Sequence, residues 1–143
     1  MREAPSYTIS FYYRKILVPI DGSETAHKAL QVAIDIAQRY GSKLVVVYAK
    51  PKGVVEREDP IVKAKERLKE LQRDASIEIT YKYIEYDPPT SSPHSAIIRE
   101  IIEGGYDLVV IGSRGKTLST DIHLGSVALS VVINAPCSIF IVR

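Results

Sequence analysis

The chain has 143 residues, 45% of them hydrophobic and 25% charged, with a formal net charge of +2. This length suits one compact domain, and so small a net charge does not indicate a nucleic-acid partner. No apolar run approaches the roughly 20 residues that span a bilayer, and the N-terminus lacks a signal-peptide core, so we expect no membrane association and a cytoplasmic location. The single cysteine, Cys137, fits that reducing compartment, and its apolar neighbours predict a buried thiol.

The first third of the chain predicts an arm followed by two strands and a helix. Residues 1–13 are expected to be an N-terminal arm, and residues 14–143 a single domain. KILVPID is a short buried strand that ends in the acidic turn Asp21-Gly22-Ser23. Small and apolar residues then recur at helical spacing, and Gly41 stands at the C-cap position. KLVVVYA predicts a second strand, covered on both faces.

The alternation of strands and helices continues to the C-terminus. Asp59 and Pro60 predict the start of a second helix, whose apolar stripe includes Leu71 and Ala75. IEITYKYIEY alternates apolar and polar residues, as a half-exposed strand near a sheet edge does. A third helix is predicted over 93–103, with an apolar face of Ile97, Ile98, Ile101 and Ile102, and the strand YDLVVIG follows it. A fourth helix is predicted over 126–134, with Val127, Ala128, Val131 and Val132 inward, and the last strand is CSIFIVR.

This alternation predicts a doubly wound α/β fold, in which a five-stranded parallel sheet carries helices on both faces. The strand orders 3-2-1-4-5 and 2-1-3-4-5 are both common in such Rossmann-like proteins, and ligands bind beyond the carboxyl ends of the strands where the winding reverses. We prefer 3-2-1-4-5 because it makes the first and fourth strands neighbours. The turn at Asp21 and the turn over 112–115 then line one crevice.

The segment after the fourth strand contains GKT, which suggests a P-loop, but that pattern needs a glycine where this chain has Val110. A different arrangement can hold a phosphate. Gly112 and Gly115 permit positive φ and a close approach of backbone N–H groups. Gly125 and Ser126 begin a helix whose first N–H groups attract anions. The alternative is that Gly112 only ends a strand and that Ser126 only caps its helix.

The spacing Gly112-x2-Gly115-x9-Gly125-Ser126 resembles the G-x2-G-x9-G-[ST] signature of ATP-binding members of the universal stress protein family. ILVPIDGSETAHKAL and NAPCSIFIVR resemble the first and last parts of that family, so that the resemblance covers residues 14–143. It implies five parallel strands in the order 3-2-1-4-5, similar to the adenine nucleotide alpha hydrolases. It also implies ATP, or AMP or ADP, as the ligand, with Mg²⁺ or Mn²⁺ on the phosphates.

The resemblance further implies roles for individual residues. Asp21 is expected near the ribose and the metal-bound phosphates, and the backbone of Ala49, at the end of strand two, is expected to meet adenine. The phosphates and ribose are assigned to Gly112, Arg114, Gly115, Lys116, Gly125, Ser126 and Val127. Two positions depart from the family pattern, since Ser91 replaces the glycine of a Gly-x-Pro turn and Tyr48 stands where histidine is frequent.

The function that this resemblance favours is that of a nucleotide-dependent regulatory or stress-response protein. The alternatives are a slow ATP-hydrolysing enzyme and a structural stress protein without nucleotide. Hydrolysis needs a base at the terminal phosphate; His27 is expected on the outer part of the first helix, His94 near a helix start and His123 on a surface loop, and no catalytic residue is assigned.

The last strand predicts the assembly of the protein. SIFIVR is strongly apolar and lies at a sheet edge in the preferred order, so its free backbone groups invite pairing with a second copy. We expect a homodimer through this strand, as the resemblance also implies. A further protein partner would read the nucleotide-bound state, and the sequence does not identify it.

Overall fold

The computed structural model describes residues 13–71, 77–114 and 124–143. The arm predicted for residues 1–13 lies outside them, apart from Tyr13. The described residues form five strands and four helices: β1 (Lys15–Pro19), α1 (Glu24–Tyr40), β2 (Lys43–Pro51), α2 (Pro60–Glu70), β3 (Ile79–Tyr86), α3 (Pro93–Gly104), β4 (Leu108–Gly112), α4 (Ser126–Asn134) and β5 (Ser138–Val142).

The strands form one parallel sheet in the order β3-β2-β1-β4-β5, which confirms the preferred order and excludes 2-1-3-4-5. β1 is central, with Leu17 in register with Val45 of β2 on one side and with Val109 of β4 on the other. Because β1 and β4 are neighbours, the turns that follow them meet at the carboxyl edge of the sheet.

Helices cover both faces of the sheet, and each face has its own apolar core. Ile16 and Val18 of β1 point into the core beneath α1 and α2, whereas Leu17 points into the core beneath α3 and α4. All three of these side chains are fully buried. This explains the unbroken apolar runs of β1, β2 and β4, since a strand covered on both faces has no solvent side.

Three of the four described helices begin with a side-chain cap. Ser23 accepts a hydrogen bond from Ala26 N at 3.3 Å, Asp59 from Ile61 N at 2.9 Å, and Ser92 from Ser95 N at 3.3 Å. These bonds satisfy N–H groups that have no acceptor within the helix. α1 ends at Gly41 in the left-handed region, with φ 68°, as its position at the C-cap predicts.

Several apolar positions predicted to face inward are exposed, and these predictions were wrong. α2 ends at Glu70, so Leu71 lies beyond the buried stripe, and Ala75 is outside the described residues. Ile102 and Val132 are 60% and 42% exposed because each helix buries only one side, α3 against β2, β3 and α4, and α4 against α3 and β5. Cys137 is only half-buried.

The described helices are short. The longest of them, α1, has 17 residues. None of the helices in the described part of the chain has the length and apolar character of a membrane span.

Candidate functional site

A cavity of about 270 Å³ opens at the carboxyl ends of the strands, at the point where the order reverses between β1 and β4. This is where ligands bind in open α/β sheets. All the predicted site residues that the structure describes line it: Asp21, Ala49, Gly112, Arg114, Gly125, Ser126 and Val127. Gly115 and Lys116 lie outside the described residues.

Ser113 joins the end of β4 to the start of α4. Its backbone N donates to Val142 O at 2.8 Å, and its carbonyl accepts a hydrogen bond from Gly125 N at 2.7 Å. The residue is buried, with 3% of its surface exposed. These bonds hold Arg114 and Gly125 at one wall of the cavity, although ten residues separate them in the sequence.

The first turn of α1 is bonded to the same wall. Thr25 Oγ1 donates to the carbonyl of Arg114 at 2.6 Å, and Ser23 Oγ donates to the same oxygen at 3.3 Å. The backbone of Arg114 is thereby fixed while its side chain lines the cavity. Sequence reasoning missed Thr25, because nothing in its local pattern shows that a carbonyl 89 positions away lies beside it.

Gly112 does not have the positive φ that was predicted for it, and the packing around it requires a glycine. Its φ is not positive, so the turn does not need the conformational freedom of glycine there. A Cβ at this position would lie 2.6 Å from Thr25 Oγ1 and 2.8 Å from Ala26 N. The missing side chain therefore lets the start of α1 pack directly on the end of β4.

α4 begins at the cavity without a side-chain cap. Its N-cap is Gly125, with φ −69° and ψ 165°, and among the described residues it has no side-chain capping hydrogen bond. The alternative that Ser126 caps the helix is wrong, because Ser126 is the first helical residue and its surface is exposed. Of the four described helices, α4 is the one without a side-chain capping bond.

Asp21 places a carboxylate at the cavity. Its Oδ1 accepts a hydrogen bond from Ser23 N at 2.9 Å, and the intervening Gly22 has φ 87°, a conformation that favours glycine. Across residues 13–71, 77–114 and 124–143, no three His, Cys, Asp or Glu side chains cluster to form a metal site. A divalent ion here would take most of its ligands from phosphate and water.

At the carboxyl ends of β2 and β3, apolar and aromatic side chains line the cavity. β2 continues to Pro51, two residues beyond Ala49. Tyr48 and Tyr86 both line the cavity, and the Tyr48 hydroxyl donates a hydrogen bond to Glu56 Oε2. Burial, and then Glu56, raise the pKa of Tyr48 well above its usual value, so the phenol keeps its proton. Sequence reasoning missed Glu56 and Tyr86.

The second departure from the family pattern, at Ser91, does not reach the cavity. Ser91 N donates to Asp87 O at 2.7 Å within the loop before α3. Ser92 caps α3, and the next residue, Pro93, is the first in this turn to line the cavity. Of the two departures, therefore, Tyr48 is the one that changes the cavity surface.

The histidines do not supply a base to the cavity within the described residues. His27 was predicted to face outward but is 3% exposed, because it lies on the buried side of α1 together with Leu30 and Ile34. Its Nε2 has no hydrogen-bond partner, and burial, followed by the charges of Arg67 and Lys63, lowers its pKa. His94 is half-buried at the start of α3 and does not line the cavity, and His123 is outside the described residues.

Fold and cavity together define the class: a doubly wound α/β protein with a ligand-sized cavity at the reversal of its strand order. Residues 12–143 match the universal stress protein family, and the chain belongs to that family. A universal stress protein of Thermus aquaticus is 30% identical, over 92% of this chain and 99% of its own length.

Solved structures agree with this assignment. UspA from Lactobacillus plantarum has a TM-score of 0.74 and 24% identity, over 94% of this chain and 100% of that one, which shows the common fold. A universal stress protein from Archaeoglobus fulgidus, solved in complex with dAMP, has a TM-score of 0.66 and 25% identity, over 93% of this chain and 100% of that one.

Proposed function

We propose that this protein binds ATP, with Mg²⁺ or Mn²⁺, in the cavity at the carboxyl edge of the sheet, and that it acts as a nucleotide-dependent regulatory protein. AMP and ADP are the related ligands. The observation that carries the proposal is the start of α4, which has no side-chain cap in the described residues and whose first residues, Gly125, Ser126 and Val127, line the cavity. Such a helix N-terminus attracts anions, phosphate among them.

The phosphate end would be formed by the β4–α4 junction. In the proposed complex, the phosphates and ribose are held by backbone and side-chain groups of Gly112, Arg114, Gly115, Lys116, Gly125, Ser126 and Val127. Asp21 lies on the β1 side of the same cavity and faces the ribose and the metal-bound phosphates. The divalent ion supplies positive charge that offsets that of the phosphates.

The nucleoside end would be formed by β2. The backbone of Ala49 meets adenine in this proposal, and the apolar surfaces of Tyr48 and Tyr86 line the same part of the cavity. The dAMP complex of the Archaeoglobus fulgidus protein supports an adenine nucleotide as the ligand class. That the nucleotide is ATP, and that a metal ion accompanies it, are more specific parts of the proposal.

The regulatory part of the proposal follows from the position of the phosphate end. A nucleotide that bridges Arg114 and Gly125 contacts the residues on both sides of the segment between β4 and α4. In this proposal, nucleotide binding thereby changes the surface that the protein presents at this segment. A protein partner or a second copy of the chain would read that state. The single cysteine supports a reducing, cytoplasmic location, with residues 14–143 as one domain behind an N-terminal arm.

The experiment is a calorimetric titration of ATP and Mg²⁺ into nucleotide-stripped protein, with Gly125→Asp alongside. An aspartate at this N-cap accepts the free N–H groups itself and repels phosphate, and it is compatible with the extended backbone of Gly125. We expect saturable binding by the original protein and none by the variant, whose thermal stability is unchanged or higher.

Gly125→Asn is the matched control, because asparagine caps the same N–H groups without a charge. It should bind ATP more weakly than the original protein but more tightly than Gly125→Asp. Equal binding by all three proteins would place the nucleotide away from α4. Absence of binding by the original protein would contradict the proposed function and favour a structural role.

A further inference from the structure

One carboxylate stands in the apolar end of the cavity. This end is lined by Tyr48 and Pro51 of β2, by Tyr86 at the end of β3 and by Ile97 of α3. Glu56, in the segment between β2 and α2, lines it as well and is half-buried. A carboxylate among such neighbours is stable when it accepts hydrogen bonds, and costly to keep there when it does not.

Only one of the two oxygens of Glu56 is used. Oε2 accepts the hydrogen bond from the Tyr48 hydroxyl. In the described part of the chain, Oε1 has no hydrogen-bond partner, and no cation forms an ion pair with Glu56. The cavity therefore contains a charged acceptor with open capacity, and it favours a ligand that brings an N–H donor to this end.

Tyr48 fixes the position of that acceptor. The tyrosine is 9% exposed and belongs to the core beneath α1 and α2, so its ring has a rigid setting. Because its hydroxyl keeps its proton, it remains the donor to Glu56. A carboxylate held in one place in this way discriminates between ligands more sharply than one on a free side chain.

The strand order separates this acceptor from the phosphate end. Glu56 follows β2, whereas Arg114 follows β4, and β1 lies between these two strands. With strands about 4.8 Å apart, the two ends of the cavity are roughly 10 Å from each other. A nucleotide whose phosphates lie at α4 therefore extends its base, and not its phosphates, toward Glu56.

We infer that Glu56, positioned by Tyr48, is a specificity-determining residue that accepts a hydrogen bond from the exocyclic amine of the bound base. This inference rests on the proposed nucleotide site. The pocket would select a 6-aminopurine over a purine without that group, because the latter leaves the carboxylate without a partner. Loss of one hydrogen bond to a charged group weakens binding by about 10- to 100-fold.

The test compares ATP with purine riboside 5′-triphosphate, which lacks the 6-amino group and is otherwise identical. Calorimetric titrations of both into the full chain should show ATP binding about 10- to 100-fold more tightly. In Glu56→Met, which keeps the length of the side chain and removes the acceptor, the two ligands should bind within about 3-fold of each other. Tyr48→Phe, which frees Glu56, should give an intermediate ratio.

Glu58→Met is the matched control, since Glu58 is an exposed carboxylate of the same segment and does not line the cavity. It should keep the ratio of the original protein. Equal binding of both triphosphates by the original protein would overturn the role of Glu56 while leaving the nucleotide site in place. A ratio that persists in Glu56→Met would do the same, and absence of ATP binding would overturn both proposals.

Discussion

At the scale of single residues, Gly112 serves packing and the cavity at once. A Cβ there would lie 2.7 Å from the backbone carbon of Thr25, an atom that moves only if α1 moves. We expect Gly112→Ala to lower the free energy of unfolding by about 1–3 kcal/mol, as overpacking does. Chemical denaturation of the nucleotide-free protein measures this loss directly.

The stability of the nucleotide-free protein distinguishes two explanations for this glycine, close packing against α1 and the approach of a ligand. If Gly112 were a glycine only so that a ligand could approach, alanine would leave the stability without ligand unchanged and would weaken binding alone. A Gly112→Ala protein as stable as the original would therefore contradict the packing explanation.

His27 makes stability depend on pH. Burial and the nearby cations Arg67 and Lys63 lower its pKa in the folded state, and the carboxylates of Glu24 and Asp21 only partly oppose them. In the unfolded chain, His27 takes up a proton near the ordinary histidine pKa of about 6.5. In the folded chain, it stays neutral to a lower pH. The contribution of neutral His27 to the free energy of unfolding is therefore fully present above about pH 6.5 and is lost as pH falls. The free energy of unfolding then decreases by at most about 1.4 kcal/mol per pH unit.

Denaturation at about pH 7.5 and about pH 5.5 measures this dependence. His27→Leu should reduce the fall in the free energy of unfolding between the two conditions. An identical fall in His27→Leu and in the original protein would show that other groups are responsible.

Sequence reasoning anticipated the residues of the cavity that follow a local pattern. Asp21 and Gly125 follow or precede regular elements, so the spacing alone places them at the carboxyl edge. Thr25 and Glu56 act through contacts with Arg114 and Tyr48 that the fold creates. His27 was misplaced because its polar side chain was set apart from the apolar stripe, although it stands three residues before Leu30 and seven before Ile34 on the buried side of α1.

At the scale of elements, α2 depends on its cap. Asp59 accepts hydrogen bonds from Ile61 N and from the hydroxyl of Tyr83 on β3, so it joins the helix start to the neighbouring edge strand. Asp59→Ala should lower the free energy of unfolding by about 1 kcal/mol. Asp59→Asn keeps an acceptor for the cap and should lose less, and chemical denaturation of both variants compares them.

An equal loss in the two variants would show that the capping bond contributes little, and that the charge of Asp59 or its hydrogen bond with Tyr83 stabilises α2.

The elements themselves were predictable where burial is complete. The apolar runs of β1, β2 and β4 and the caps at Asp59 and Gly41 all match the structure. The errors fall at the edges, at Ile102, Val132 and Leu71. Ile102 and Val132 fit the helical pattern but lie beside the buried side of their helices, and Leu71 follows the last residue of α2.

At the scale of the whole molecule, the strand order was predictable because one order alone brings the Asp21 turn and the Gly112 turn together. The same order makes β5 an edge strand. Its outer side is unpaired within the described residues, and Phe140 on it is 48% exposed. Ile133 of α4 adds a neighbouring apolar surface that is 69% exposed. These features support the proposed homodimer through β5.

The direction of the backbone groups in β5 gives this proposal a sharp test. Val142 O accepts from Ser113 N and so faces inward, and the alternation along a strand then turns the N–H groups of Ile139 and Ile141 outward. Light scattering at micromolar concentration should give a mass about twice 15.9 kDa. Ile141→Pro removes an outward N–H and spares the ladder to β4, so it should yield a folded monomer. Ile141→Ala is the control, because it loses side-chain packing but keeps that N–H group, and it should remain a dimer. If Ile141→Pro is still a dimer, the interface lies away from β5.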